Sequence, residues 1–134
     1  MSQPFVFVSK HRVKDGAIAD LEERSTAFAR FVADREPWTI GFRLFLSADG
    51  SELTHVQVQP DAERMDLHMQ LARDHIGAAL ELAETTSIEV YGQPGPVLGQ
   101  VLRMNEEAGV PVTIHVRQLN GVAHPAPDGR ADGT

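Results

Sequence analysis

The residues best suited to moving protons in this chain are its histidines. Cysteine is absent, which excludes disulfides, thiolate metal sites and a cysteine nucleophile. His68 and His75 lie in a segment, residues 62–83, whose apolar positions recur at helical spacing. On one continuous helix both fall inside the apolar arc, about 10.5 Å apart along the axis. That span is too long for both to bind one metal ion, whose ligand bonds are about 2 Å. Two readings stay open. Each imidazole is a core group satisfied by a carbonyl or hydroxyl, or His68 lines a helix-to-sheet pocket and acts as a base, a role suited to an ordinary pKa of about 6.5. His75 is the second candidate and His11 the third. His11 shares a strand face with Phe5, Phe7 and Ser9, and it approaches His68 only if that face meets the helices. His55 and His115 sit among polar strand neighbours, where a surface or subunit-interface position is expected.

Three other side chains are candidates for holding a substrate. Trp38 follows a proline at a strand entrance and either packs there or stacks on an aromatic ring at a pocket rim. Tyr91 could donate to a phenolate. Arg43 stands in an apolar strand, where it either pairs with Glu89 or reaches an anionic ligand. No GxGxxG, P-loop, HExxH or GxSxG motif is present, so nucleotide chemistry has no local support. No cofactor and no metal are expected.

These side chains need a scaffold, and the order of elements is readable. Alternation over 5–13 predicts a strand, and helical spacing over 17–34 a helix ended by Glu36-Pro37. Strands are predicted over 39–47 and 52–59, joined by the Ala48-Asp49-Gly50-Ser51 turn. Asp61 caps a long helix over 62–83, Thr85-Thr86 breaks it, and 87–92 is a fourth strand. After Gln93-Pro94-Gly95-Pro96 come a helix over 97–108 and a strand over 111–119. The class is α+β: a ferredoxin-like βαββαβ core with an antiparallel sheet over 4–92, extended by a helix and strand over 93–119. Residues 1–119 form one domain, and 120–134 a flexible tail rich in Pro, Gly and Asp. Strand 39–47 carries large apolar groups on both sides, so a second copy of the chain is expected to cover the outer face.

At 134 residues the chain is long enough to bury a core without a staple. The net charge of −7 comes with dispersed basic residues, which argues against a nucleic-acid partner. No apolar run approaches the ~20 residues needed to cross a bilayer, and no signal-peptide core is evident. The expected address is the cytoplasm.

The run FVFVSKHRVKDG, the pair Glu36-Pro37, and Asp61-Ala62-Glu63-Arg64-Met65-Asp66-Leu67-His68 together resemble the antibiotic-biosynthesis-monooxygenase-like families of the dimeric α+β barrel superfamily. The resemblance covers residues 4–92, and His68 falls where the family pattern has a histidine. Trp38 replaces the glycine that usually follows Glu-Pro, and Gln59 a tryptophan near the end of the third strand. The proximal histidine of the haem-degrading branch falls at Ala78, so haem is not expected. What the resemblance implies is a homodimer with a pocket for a small aromatic or apolar ligand. It further implies a cofactor-independent, monooxygenase-like enzyme acting on a phenol or quinol. The alternative is a non-catalytic small-molecule-binding or accessory dimer.

Overall fold

The alternating run Phe5–Val13 (β1) is the central strand of a five-stranded sheet. A computed structural model describes residues 3–124. After β1 come Ile18–Arg35 (α1), Gly41–Leu46 (β2), Glu52–Gln59 (β3), Ala62–Leu71 (α2), Arg73–Leu80 (α3), Ala83–Tyr91 (β4), Pro96–Glu107 (α4) and Val112–His115 (β5). The strand order is β2-β3-β1-β4-β5, antiparallel except for the parallel β4–β5 pair. The fold is thus the expected ferredoxin-like α+β core with a helix-strand extension. All helices lie on one face, with α1 towards the β2 side and α4 towards β5.

Phe5, Phe7, Ser9 and Val13 are buried and face the helices, which settles the side on which His11 lies. Three apolar clusters form the core. Phe5, Phe7, Met65, Ile88, Val90, Leu98 and Leu102 make one, between the sheet and the α2 and α4 helices. Val13, Ala17, Leu21, Leu53 and Ala83 make a second, and Phe28, Val32 and Ala72 a third. The outer face carries Val6, Val8, Val56 and Val58, with Phe45 54% and Tyr91 38% exposed. It is the apolar face expected to take a partner.

The long helix expected over 62–83 is two helices. The turn opens at Ala72 (φ −96°, ψ 12°), which is fully buried against Phe28 and Val32. Residues 83–86 belong to β4, correcting the helix end and the break expected at Thr85-Thr86. A bulge explains the misreading. His11 pairs with Thr85 and Lys10 with Ser87, leaving Thr86 as the extra residue, its hydroxyl on the Lys10 carbonyl. Inward positions therefore run Ala83, Thr85, then Ile88 and Val90, and the change of phase hides the period of two.

The extension is fastened through α2. Asp66 accepts hydrogen bonds from the Val97 and Leu98 amides at the start of α4. A Cβ on Gly95 would overlap an Asp66 carboxylate oxygen, so a larger residue there would push the carboxylate away from these amides. β5 is shorter than the expected 111–119, and residues 116–124 carry no helix or strand. The rest of the expected tail, 125–134, lies outside the described residues. No helix among the described residues is long and apolar enough to cross a membrane.

Candidate functional site

Strand register puts a diagonal polar stripe in the middle of the helix-facing side of the sheet. Phe7 pairs with Gln57, Ser9 with His55, and His11 with Leu53 on one side and Thr85 on the other. Gln57, His55, Ser9, His11 and Thr85 therefore interrupt the apolar core on three adjacent strands. Above them α2 lowers His68, 1% exposed. Between these groups lies a cavity of about 120 Å³, walled mostly by apolar side chains such as Phe28, Leu21 and Ile76, with Ser25 and Asn105 also on its lining.

The polar groups are linked in a chain. His68 Nδ1 lies 2.7 Å from Glu36 Oε1, both residues being buried. His68 Nε2 lies 3.2 Å from Gln57 Nε2, and the same amide nitrogen lies 3.3 Å from His55 Nε2. Gln57 Oε1 accepts from Gln59 Nε2, which also reaches Thr39 Oγ1 at 3.3 Å. The amide of Gln57 thus donates one hydrogen to each imidazole. A neutral imidazole that accepts at Nε2 carries its proton on Nδ1. His68 then donates to Glu36, and His55 Nδ1–H is left without a protein partner among the described residues, on a ring that lines the cavity. His11 is held separately, Nε2 at 2.8 Å from Ser9 Oγ and Nδ1 at 3.1 Å from Thr85 Oγ1.

Burial in the cavity wall lowers His11 from 6.5 to about 4. His55 falls to about 3, mainly through burial, with repulsion from His68 and His11 adding to it. Both are neutral at neutral pH, because a charged imidazole loses hydration that the apolar wall does not replace. His68 differs in having a carboxylate on its far nitrogen. Such a pair holds the imidazole in one tautomer and stabilises the imidazolium once a proton arrives. Glu36 Oε2 has no hydrogen-bond partner among the described residues, so the carboxylate keeps accepting capacity in reserve.

Of the six side chains singled out from the sequence, the cavity gathers two, His68 and His11. His75 lies outside it, packed between Phe28 and Phe31 with centroids at 5.4 and 4.8 Å. The break at Ala72 ends the single helix on which His68 and His75 were expected to share a face. Trp38 packs under the Arg64 guanidinium, 5.7 Å from the ring, and does not reach the cavity. Arg43 and Tyr91 are on the opposite face of the sheet, since their strand neighbours Phe42 and Val90 point inward. Arg43 stays exposed, and with β3 and β1 standing between β2 and β4 it does not reach Glu89. The Tyr91 hydroxyl donates to Glu89 at 2.7 Å, which raises its pKa, and its ring stacks on His115 at 4.5 Å.

Sequence reasoning missed Glu36, Gln57 and the inward position of His55. Glu36 reads as a helix terminator before proline, and His55, Gln57 and Gln59 read as the wet face of a strand. The available signal was Val56 and Val58 on the other face, which makes the polar alternate set the inward one if the outer face is apolar too. No group of three or more His, Asp or Glu among the described residues is arranged to hold a metal ion.

No protein-family model and no curated protein matches the sequence. Solved structures do match in shape. MupZ from Pseudomonas fluorescens aligns over 96% of this chain and all of its own, with TM-score 0.72 at 13% identity. SnoaB, a cofactor-independent oxygenase from Streptomyces nogalater, aligns over 72% of this chain and 98% of its own, with TM-score 0.59 at 19% identity. An antibiotic biosynthesis monooxygenase aligns over 68% and 99%, with TM-score 0.57 at 12% identity. The chain has the fold of antibiotic-biosynthesis-monooxygenase-like proteins, and its α4–β5 extension falls within the span matched by MupZ.

Proposed function

We propose that the chain is a cofactor-independent enzyme in which the Glu36–His68 pair takes a proton from a phenol or quinol held in the cavity, and the resulting anion reacts with O₂. The carrying observation is the buried carboxylate–imidazole contact at 2.7 Å, set beside an apolar cavity. A deprotonated electron-rich ring passes electrons to O₂ without help from a metal or flavin. For a ring carrying an activated CH₂, the overall change is CH₂ + O₂ → C=O + H₂O. A C–O bond forms, two C–H bonds break, and the second oxygen leaves as water. His68 receives the first proton, and Glu36 stabilises the imidazolium. For the proton to reach His68 Nε2, the hydrogen that the Gln57 amide donates there must first give way. The His55 Nδ1–H supplies a donor to the developing oxyanion.

The likeness in fold to SnoaB supports the oxygen half of this reading. A second reading is proton transfer alone. It is favoured by the fact that the cavity's polar groups, a base and a neighbouring donor, are those of acid–base chemistry. We also propose that the working form is a homodimer closed over Val6, Val8, Val56, Val58 and Phe45 of the outer face.

The experiment is oxygen uptake with single-ring and fused-ring phenols and quinols, beside His68→Ala. Uptake lost in the variant supports the oxygenase. Product formed without oxygen, and lost in the variant, supports proton transfer alone. No conversion of any substrate counts against both.

A further inference from the structure

The cavity's size poses a problem that its mouth resolves. About 120 Å³ is less than the roughly 150 Å³ of an apolar cavity that holds one benzene ring, and well below the roughly 300–1,000 Å³ of ordinary ligand sites. A second, open cleft of about 600 Å³ lies alongside. Leu80, Ala83, Thr85 and Asn105 line both spaces. Leu80 is the last residue of α3 and Asn105 lies near the end of α4, so the two spaces meet where α3, β4 and α4 come together.

The cleft has a different chemistry from the cavity. Its walls include Lys14, Thr86 and Glu84, and its far side is the turn Ala108–Pro111 that links α4 to β5. Glu84 is paired with Arg12. Lys14 is exposed and has no carboxylate partner among the described residues. Asn105 Nδ2 donates to the Val101 carbonyl in its own helix, which leaves Oδ1 as an acceptor at the junction. The α4–β5 extension therefore supplies one wall of a site whose inner end is the histidine cavity.

From this we infer that the cavity and the cleft form one two-part binding site. It takes an elongated substrate with a compact apolar head, a single ring seated across the cavity and its junction with the cleft, and a polar arm that ends in an anionic group near Lys14. The inference deepens the proposed function, because the head is the group that meets His68. The arm passes Thr85, whose hydroxyl holds His11, and an arm hydroxyl or N–H meets Asn105 Oδ1. The extension thereby selects substrates by the arm attached to the reacting ring.

The test is calorimetric binding of phenol and of 4-hydroxyphenyl-alkanoates of increasing chain length to the full-length protein. Affinity should rise with length until the carboxylate reaches Lys14. Lys14→Gln should then cost roughly three- to fivefold for the longest acid, the worth of an exposed ion pair, and nothing for phenol. Leu80→Trp, which fills the junction, should abolish the gain from the arm. Phenol bound equally well with and without an arm, in all three proteins, overturns the two-part site and leaves the histidine cavity standing. Failure of phenol and every acid to bind overturns both.

Discussion

The imidazole of His68 lies parallel to the phenyl ring of Phe28, with an interplanar angle of 2° and centroids 5.9 Å apart. Glu36 anchors one edge of the same imidazole and Gln57 the other. Ring plane, tautomer and position are therefore set by three different elements: α1, the loop after it, and β3. A base held this way keeps its ring fixed, and only the Gln57 contact at Nε2 has to give way for the proton to arrive.

Replacing Glu36 with Gln should keep the shape and remove the function. The amide carbonyl still accepts from His68 Nδ1–H, but it carries no charge to stabilise the imidazolium that forms when the proton arrives. Turnover should fall by about 10²–10⁴-fold, the usual contribution of general base catalysis. Steady-state rates beside a circular dichroism spectrum check this. An unchanged rate in a folded variant would remove Glu36 from the chemistry.

Acid should destabilise the fold through its buried neutral imidazoles. His11 and His55 have folded pKa values of about 4 and about 3, against 6.5 when free. Between pH 6.5 and those values the unfolded chain binds protons that the folded one does not. Stability is therefore full above pH 6.5 and declines as pH falls towards 4 and then 3. Melting temperatures measured from pH 7.5 to 4 should show the decline, and His55→Gln should flatten it. Equal slopes in the two proteins would contradict the assignment.

Much of the scaffold was legible from period and punctuation. The bounds of β1 and β3, the Asp61 cap on the Arg64 amide and the helix-strand extension follow from alternation, capping chemistry and proline placement. The site was less legible because its polar groups are inward, against the usual sorting. Gln57 and Gln59 are buried at 0% exposure; Gln57 donates to two imidazoles and accepts from Gln59, whose own Oε1 has no partner among the described residues. The reciprocity is only half local: His55, Gln57 and Gln59 alternate along β3, while His68 comes from α2. Thr85 was hidden by the bulge, and Glu36 by a position that already had an explanation as a helix end.

The outer sheet face should bring two chains together. Phe45 is 54% exposed on that face, flanked by half-buried valines of β3 and β1. Sedimentation at micromolar concentration should give twice the chain mass, and Phe45→Glu should shift it to the monomer. A monomeric wild type would contradict the arrangement.

Asp66 should matter to the extension more than to the core. Its carboxylate caps α4 across a tertiary contact, and Asp66→Ala should cost about 1 kcal/mol, the usual worth of a helix cap. Chemical unfolding measures the loss. Hydrogen exchange should place it in α4, and a loss spread evenly over the sheet would contradict the tethering role.

The most direct measurement is the ultraviolet spectrum of a phenol bound at a pH below its own pKa. If Glu36 and His68 take the proton, the ligand should absorb as phenolate on the wild-type protein and as neutral phenol on His68→Gln. A ligand that binds the wild type as neutral phenol, or that ionises equally on both proteins, would contradict the role assigned to the pair.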